Sequence, residues 1–309
     1  MQRIPGPALS PFVALMWAHD EPGASLAPAV PAGREAPDPS RPGAGGAVDA
    51  GRAPVVAEHV LPTGFTHMVF RRSAGEGVRV FDPRGSVAGS LLPSAVLGGP
   101  RTSFYLRHAS APVRSAGVLL RPGAVRALFG LPAHAVAEQH VALADLCGAQ
   151  AAEWSEELLA IDCPAQRLAR LELILLAYLG GRRQGDTVHP AVAQALRGLG
   201  NTARIGPFVQ DMSHRHFIHL FRDAVGMAPK AFARIHRVRR ALHASTLPGA
   251  VLAQVASAVG YADQSHFHHD VRAVAGVTPA AFVRLSPDGG SHLPVPSGQI
   301  FTRQAGGRA

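Results

Sequence analysis

Two groups of polar side chains, fifty residues apart, carry the clearest chemistry in this 309-residue chain. The first is Arg215, His219 and Arg222; the second is Gln264, Ser265, His268, His269 and Arg272. All are hydrogen-bonding groups, and Arg and Gln in particular match the donor and acceptor pattern of base edges and phosphates. Nucleophilic catalysis fits less well. Ser, His and Asp are present, but no nucleophile elbow, GxGxxG run or phosphate loop accompanies them, so no catalytic residue is assigned.

Both groups lie in one segment that the chain uses twice. HRHFIHLFRDAVGMAPKAFAR (214–234) and QSHFHHDVRAVAGVTPAAFVR (264–284) align without a gap, matching His216 with His266, Phe217 with Phe267, Arg222 with Arg272, Gly226 with Gly276 and Pro229 with Pro279. Such a coincidence in fixed register predicts one supersecondary unit repeated. Ser213 and Asp263 are expected N-caps, and Phe217, Phe221 and Val225, like Phe267, Val271 and Ala275, recur every four residues as a core stripe. Gly226 and Gly276 stand where a left-handed residue ends a helix, and Pro229 and Pro279 can open the next. His216 and His219 have ligand spacing, but His216 and His266 each adjoin the core Phe, which reads as a buried structural histidine; no metal is assigned.

Ahead of the second copy, Leu252, Val255, Ala256 and Val259 form an apolar stripe, followed by Gly260 and the cap Asp263. Helix, glycine-containing turn, helix is a helix-turn-helix, whose second helix has the size and polarity to enter a major groove. The first copy departs from this pattern. Its supporting segment, TARIGPFVQDM (202–212), lacks a turn glycine, is shorter, and contains Gly206 and Pro207, so the first unit is expected to be loose or tilted.

The motifs AxxVGYADQSHFxxxxRxxxGVTPxxF (256–282) and SHRHFxxxFRxxVGxxPxxF (213–232), joined by the basic stretch 234–242, strongly resemble the DNA-binding domain of AraC/XylS-type transcription regulators. The resemblance implies that Arg215, His219, Gln264, Ser265, His268 and His269 occupy the base-reading face, against the plainer reading of a solvated surface. Ile218 projects beside them, where it could touch a thymine methyl. Arg222, Arg272, Arg237, Arg239 and Arg240 are expected to contact phosphate or face water.

Charge supports a polyanionic partner. From Asn201 to Leu285 ten Arg and Lys face four Asp, so this stretch holds +6 of the chain's +9. Cys147 and Cys163 are isolated and form no disulfide or metal framework, which fits a reduced compartment. An alkyl-accepting repair domain, known among relatives of the family, would need a reactive Cys, whereas Cys147 reads as a small hydrophobe. The N-terminus makes a poor signal peptide, and no run of about eighteen apolar residues exists.

Along the chain, 8–18 reads as a strand or short helix, and 20–54, rich in Pro, Gly, Ala and Ser, as a disordered insertion. Short apolar runs from Val55 to Leu120 predict a small β barrel or sandwich. Helices are expected over 122–130, at 141–146 and over Ala165–Leu179. LPTGFTHMVF (61–70), GVLLRPGAVRALFG (117–130) and HVALADLCG (140–148) resemble the sensor domain of one branch of the same family, which implies a cupin-like effector or dimerisation module.

The expected fold class is therefore α+β. A β-rich sensor or dimerisation domain spans 1–184, a double helix-turn-helix domain spans 187–285, and 286–309 form a disordered tail. The resemblance implies a cytoplasmic activator or repressor without cofactor. Its partners would be double-stranded DNA, a small-molecule effector, RNA polymerase and a second copy of the chain, with no membrane. The reading from another class is a cupin-like ligand-binding or enzymatic protein whose helical half is an interaction module.

Overall fold

The structure is a computed structural model that describes residues 1–21, 55–73, 77–81, 89–110, 113–181, 188–199, 212–286, 290 and 292–294. The expected insertion at 20–54, most of the linker, and the shortened supporting segment 202–211 fall almost wholly outside these residues.

The first half contains two antiparallel sheets. One runs in the order β1 (Gln2–Arg3), β2 (Val13–Glu21), β9 (Val113–Leu120), β4 (Thr66–Ser73), β7 (Ala95–Gly98) and β10 (His140–Ala142). The other runs β11 (His292–Pro294), β3 (Val55–Val60), β8 (Tyr105–Ser110), β5 (Val78–Phe81) and β6 (Ser90–Leu92). The expected β-rich domain is present, but among the described residues the sheets do not join into a closed barrel.

Strand alternation decides what each face does. Met16 and Ala18, Met68 and Phe70, and Ala116 and Val118 are all buried in one core with residues of α3 (Gln150–Ala160) and α4 (Pro164–Gly180). The alternate residues Trp17, His67, Val69, Arg71 and Ser115 face a cavity whose other wall comes from the second sheet. Arg167 of α4 is fully buried and fully used: its guanidinium donates to both oxygens of Asp20 and to the carbonyls of Ser115, Ile161 and Asp162. Cys147 is half-buried and donates to the Leu143 carbonyl. Between β9 and β10 lie α1 (Ala124–Phe129) and a 3-10 turn (Ala133–Val136); α2 (Leu143–Cys147) follows β10.

The second half is helical: α5 (Pro190–Leu199), α6 (His214–Val225), α7 (Pro229–Ser245), α8 (Leu252–Ala258), α9 (Gln264–Ala275) and α10 (Pro279–Leu285). It has two cores. Phe217, Phe221 and Phe232 pack with Val192 and Ala195, whereas Phe267, Val271, Val274 and Phe282 pack with Val238, Leu242 and Val255. No helix among the described residues is long and apolar enough to cross a membrane.

One expectation is overturned at the tail. His292–Pro294 is not unstructured but pairs antiparallel with Glu58–Val60 as β11. Leu293 is fully buried and, with Leu61, enters the core of the second helix-turn-helix. A single Leu among Gly, Ser and Pro gives no periodic signal, yet it covers an otherwise open edge of β3 and fills a gap under α10.

Candidate nucleic-acid interface

Each recognition helix is fixed at both ends by local chemistry. Ser213 Oγ accepts from the His216 amide at 3.2 Å, and Asp263 Oδ1 accepts from the His266 amide at 2.7 Å. These caps satisfy donors that α6 and α9 would otherwise leave open. At the other ends Gly226 (φ 90°) and Gly276 (φ 76°) adopt the left-handed conformation, after which Pro229 and Pro279 begin the following helices.

Eight of the nine expected contact residues lie on the exposed face. Arg215, Ile218, His219 and Arg222 are exposed on α6, as are Gln264, Ser265, His269 and Arg272 on α9. His268 does not belong with them. It is half-buried, edge-on to Phe267 with ring centroids 5.8 Å apart, and its Nε2 is shielded with no hydrogen-bond partner among the described residues. At the fifth position of α9, His268 lies beside the core residue Phe267 and turns toward its ring. The buried structural role expected for His216 and His266 is also overturned, since both are exposed. Each sits in the first turn just after the cap, and His266 lies edge-on to Tyr261 at 5.1 Å.

The back of α9 is braced by a clamp that the sequence did not reveal. Asp270, buried on the inward face, accepts from Arg234 Nε at 2.8 Å and from Arg237 Nη2 at 3.1 Å, both on α7. The Arg237 guanidinium also lies 4.6 Å from the Tyr261 ring centroid. Arg237 therefore holds protein rather than phosphate. The same holds for Arg239, whose Nη1 donates to the Thr63 carbonyl at 3.0 Å. Arg240 alone of this trio is exposed. Arg234 and Arg237 are three residues apart on one helix face; that spacing opposite a lone acid on the core side of α9 was the available signal.

Both helix-turn-helix units dock on the β-rich half through the C-terminal ends of α6 and α9. The Gly123 amide donates to the Ala224 carbonyl at 2.8 Å, and Arg126 pairs with Asp223 at 2.5 Å. A Cβ on Gly226 would lie 2.4 Å from Pro100 Cγ and 3.0 Å from the Ala133 carbonyl oxygen. At the second unit, Phe104 stacks on His59 at 4.7 Å and covers Gly276, where a Cβ would meet its ring at 2.4 Å. Phe65 lies edge-on to both Phe232 and His236 of α7, and burial, followed by the charges of Arg239 and Arg240, pushes His236 down to about 4.

Residues 210–285 match the family described as a helix-turn-helix domain, and residues 47–142 match a domain of unknown function. No curated protein sequence matches the chain. Among solved structures, an apo variant of ToxT from Vibrio cholerae strain SCE256 is 11% identical with a TM-score of 0.43, covering 75% of this chain and 93% of that one. Wild-type ToxT of the same strain with bound unsaturated fatty acid is 11% identical with a TM-score of 0.41, covering 75% and 91%. ToxT from Vibrio cholerae O395 is 10% identical with a TM-score of 0.39, covering 74% and 95%. These superpositions are loose, and the assignment rests on the match over 210–285 together with two capped recognition helices joined through α7. This chain carries at its C-terminus the helix-turn-helix domain of the AraC/XylS-type regulators.

Proposed function

We propose that the chain is a sequence-specific DNA-binding transcription regulator, working in the cytoplasm, whose first half holds a small-molecule effector. The observation that carries this reading is α9. It is N-capped by Asp263, presents Gln264, Ser265, His269 and Arg272 to solvent, and is locked from behind by Asp270. Such a helix keeps its outward side chains in register with successive base edges, which flexible side chains on a mobile helix do not. Arg215, Ile218, His219 and Arg222 on α6 form a second reading or gripping face, and Arg240 adds a phosphate contact.

Double-stranded DNA is the primary partner. RNA polymerase and a second copy of the chain are the further contacts such a regulator makes at a promoter. The test is selection of genomic fragments by the purified full chain, followed by affinity measurements across salt. One enriched site, with affinity falling on the order of a thousandfold between low and moderate salt, supports the reading. Absence of any enriched sequence, or an affinity indifferent to salt, would sink it.

A further inference from the structure

β11 (His292–Pro294) belongs to neither half alone. It follows α10, the last helix of the second helix-turn-helix, yet it pairs with β3 of the β-rich half, setting His292 opposite Val60, Leu293 opposite His59 and Pro294 opposite Glu58. Strand alternation gives this ribbon two faces. Glu58, Val60 and His292 line the cavity between the sheets, where His292 Nδ1 lies 2.8 Å from Glu58 Oε2. Leu293 and His59 serve the other face. Leu293 is fully buried in the core that holds Phe267, Val271 and Phe282, and His59 Nδ1 reaches the Ala275 carbonyl at 3.4 Å.

The second unit is therefore held at two separate places. One is the C-terminal end of α9, where the Phe104 amide donates to the Val274 carbonyl and His59 meets Ala275. The other lies beyond α10, where Leu293 joins the core. A single attachment leaves a pivot, and a second removes it. The first unit has its own ties, from Gly123 to Ala224 and from Arg126 to Asp223, and α7 between the units is gripped at Arg239 by the Thr63 carbonyl. Both units are thus fixed to one body, and the β-rich half sets the placement of α6 and α9 together with α7. These ties leave the reading faces open: Arg215, His219, Gln264, Ser265 and His269 stay exposed while they are made. A latch that blocked DNA would bury those side chains.

We infer that β11 is a positioning strap for DNA recognition: Leu293, anchored through β3, fixes where α9 sits relative to α6 and so fixes the offset between their contacts along a duplex. This rests on the DNA-binding reading above. The offset has sharp consequences, since an error of one base pair displaces a contact by about 3.4 Å and turns it by about 35° around the duplex axis. Two modules held in matching geometry also bind more tightly than two that pivot freely.

The test is hydroxyl-radical footprinting of the full chain on its selected site, with affinity measured alongside. Two protected backbone patches are expected at one fixed offset, one weakened by Arg272→Ala on α9 and the other by Arg222→Ala on α6. Leu293→Ala should keep the α9 patch, spread or lose the α6 patch, and lower affinity about tenfold. Leu293→Met should behave as the unaltered chain. A disulfide introduced by Val60→Cys and His292→Cys, which face each other across the two strands, should restore the sharp α6 patch to Leu293→Ala when oxidised and not when reduced. Equal weakening of both patches with no recovery on oxidation would leave Leu293 a purely structural role and overturn the proposal. An α6 patch unchanged in Leu293→Ala would remove the strap while leaving the DNA-binding reading intact. Loss of DNA binding on closing the disulfide would also overturn it, because the strap would then be a latch that must open. If no sequence is selected at all, the DNA-binding reading falls and the strap falls with it.

Discussion

The backbone amide of Phe104 donates to the carbonyl of Val274 at 2.8 Å, tying the loop before β8 to the last turn of α9. The same Phe104 ring lies over Gly276, so the glycine answers two demands at once: a left-handed φ and a close approach. Gly260 has the first demand alone, at φ 86° with open space around it. Gly260→Ala should cost about 1 kcal/mol from backbone conformation. Gly276→Ala should cost about 1–3 kcal/mol more, because Phe104 must move. In a Phe104→Ala background that excess should disappear. Urea unfolding of the four variants checks this, and an excess that survives removal of Phe104 would show that the Phe104 ring is not what excludes a Cβ at 276.

The two faces of α9 separate stability from binding. Phe267 is fully buried and stacks near Tyr261 at 5.3 Å, so Phe267→Ala should cost about 3–5 kcal/mol through the cavity it leaves. Arg272 is exposed in the last turn, and Arg272→Ala should leave stability within about 0.5 kcal/mol while weakening DNA binding. Thermal unfolding and a binding titration on both variants decide it. Equal loss of stability would mean that the helix face has been misassigned.

Acid should destabilise the fold through its buried histidines. Burial, ahead of neighbouring positive charge, holds His67 and His236 at about 4 and His140 at about 3, against 6.5 in the unfolded chain. Between those values the unfolded chain binds more protons than the native one, so stability falls as pH drops from 6.5 toward 4. With three such groups the slope approaches about 4 kcal/mol per pH unit. Glu58, at about 2 rather than 4.5, adds loss of the same sign below pH 4.5. Stability from urea unfolding at pH 7.5, 6.5 and 5.5 should fall by about 1 kcal/mol across the first interval and about 3 kcal/mol across the second; a flat profile would mean that these rings are hydrated.

The parts legible in the sequence were those governed by local rules. Caps at Ser213 and Asp263, glycine stops at 226 and 276, and the Phe stripes all follow from neighbours within one helix, and all stand as expected. What was not legible depends on partners far along the chain. Leu293 meets Leu61, Arg239 meets Thr63, and Asp270 meets Arg234 across separations that no periodicity encodes. The cavity was hidden for a related reason. Arg71, Arg101 and Arg107 look like ordinary polar positions of half-buried strands and loops until two sheets face each other. Helix α3 escaped notice because its buried set Ala151, Ser155, Leu158 and Leu159 is small and partly polar.

The last prediction ranks the two units. α9 has a supporting helix, α8, a turn at Gly260, and the Asp270 clamp to α7; among the described residues α6 packs on α5 and α7 through Phe217 and Phe221, with no buried carboxylate clamp of the kind that Asp270 makes. A helix locked by a buried ion pair positions its side chains to a fraction of an ångström, which favours α9 for reading bases and α6 for gripping backbone. Gln264→Ala and His269→Ala should therefore each relax preference at particular base pairs by about 1–3 kcal/mol. Arg215→Ala and His219→Ala should weaken binding with little change in the preferred sequence. Removing the clamp with Asp270→Ala should blur the positions read by Gln264 and His269 without touching either side chain, an effect that simple loss of charge on α9 would not produce. Binding-site selection on each variant supplies the readout. If Arg215→Ala erased base preference while Gln264→Ala left it intact, α6 would be the reading helix and the clamp on α9 would serve stability alone.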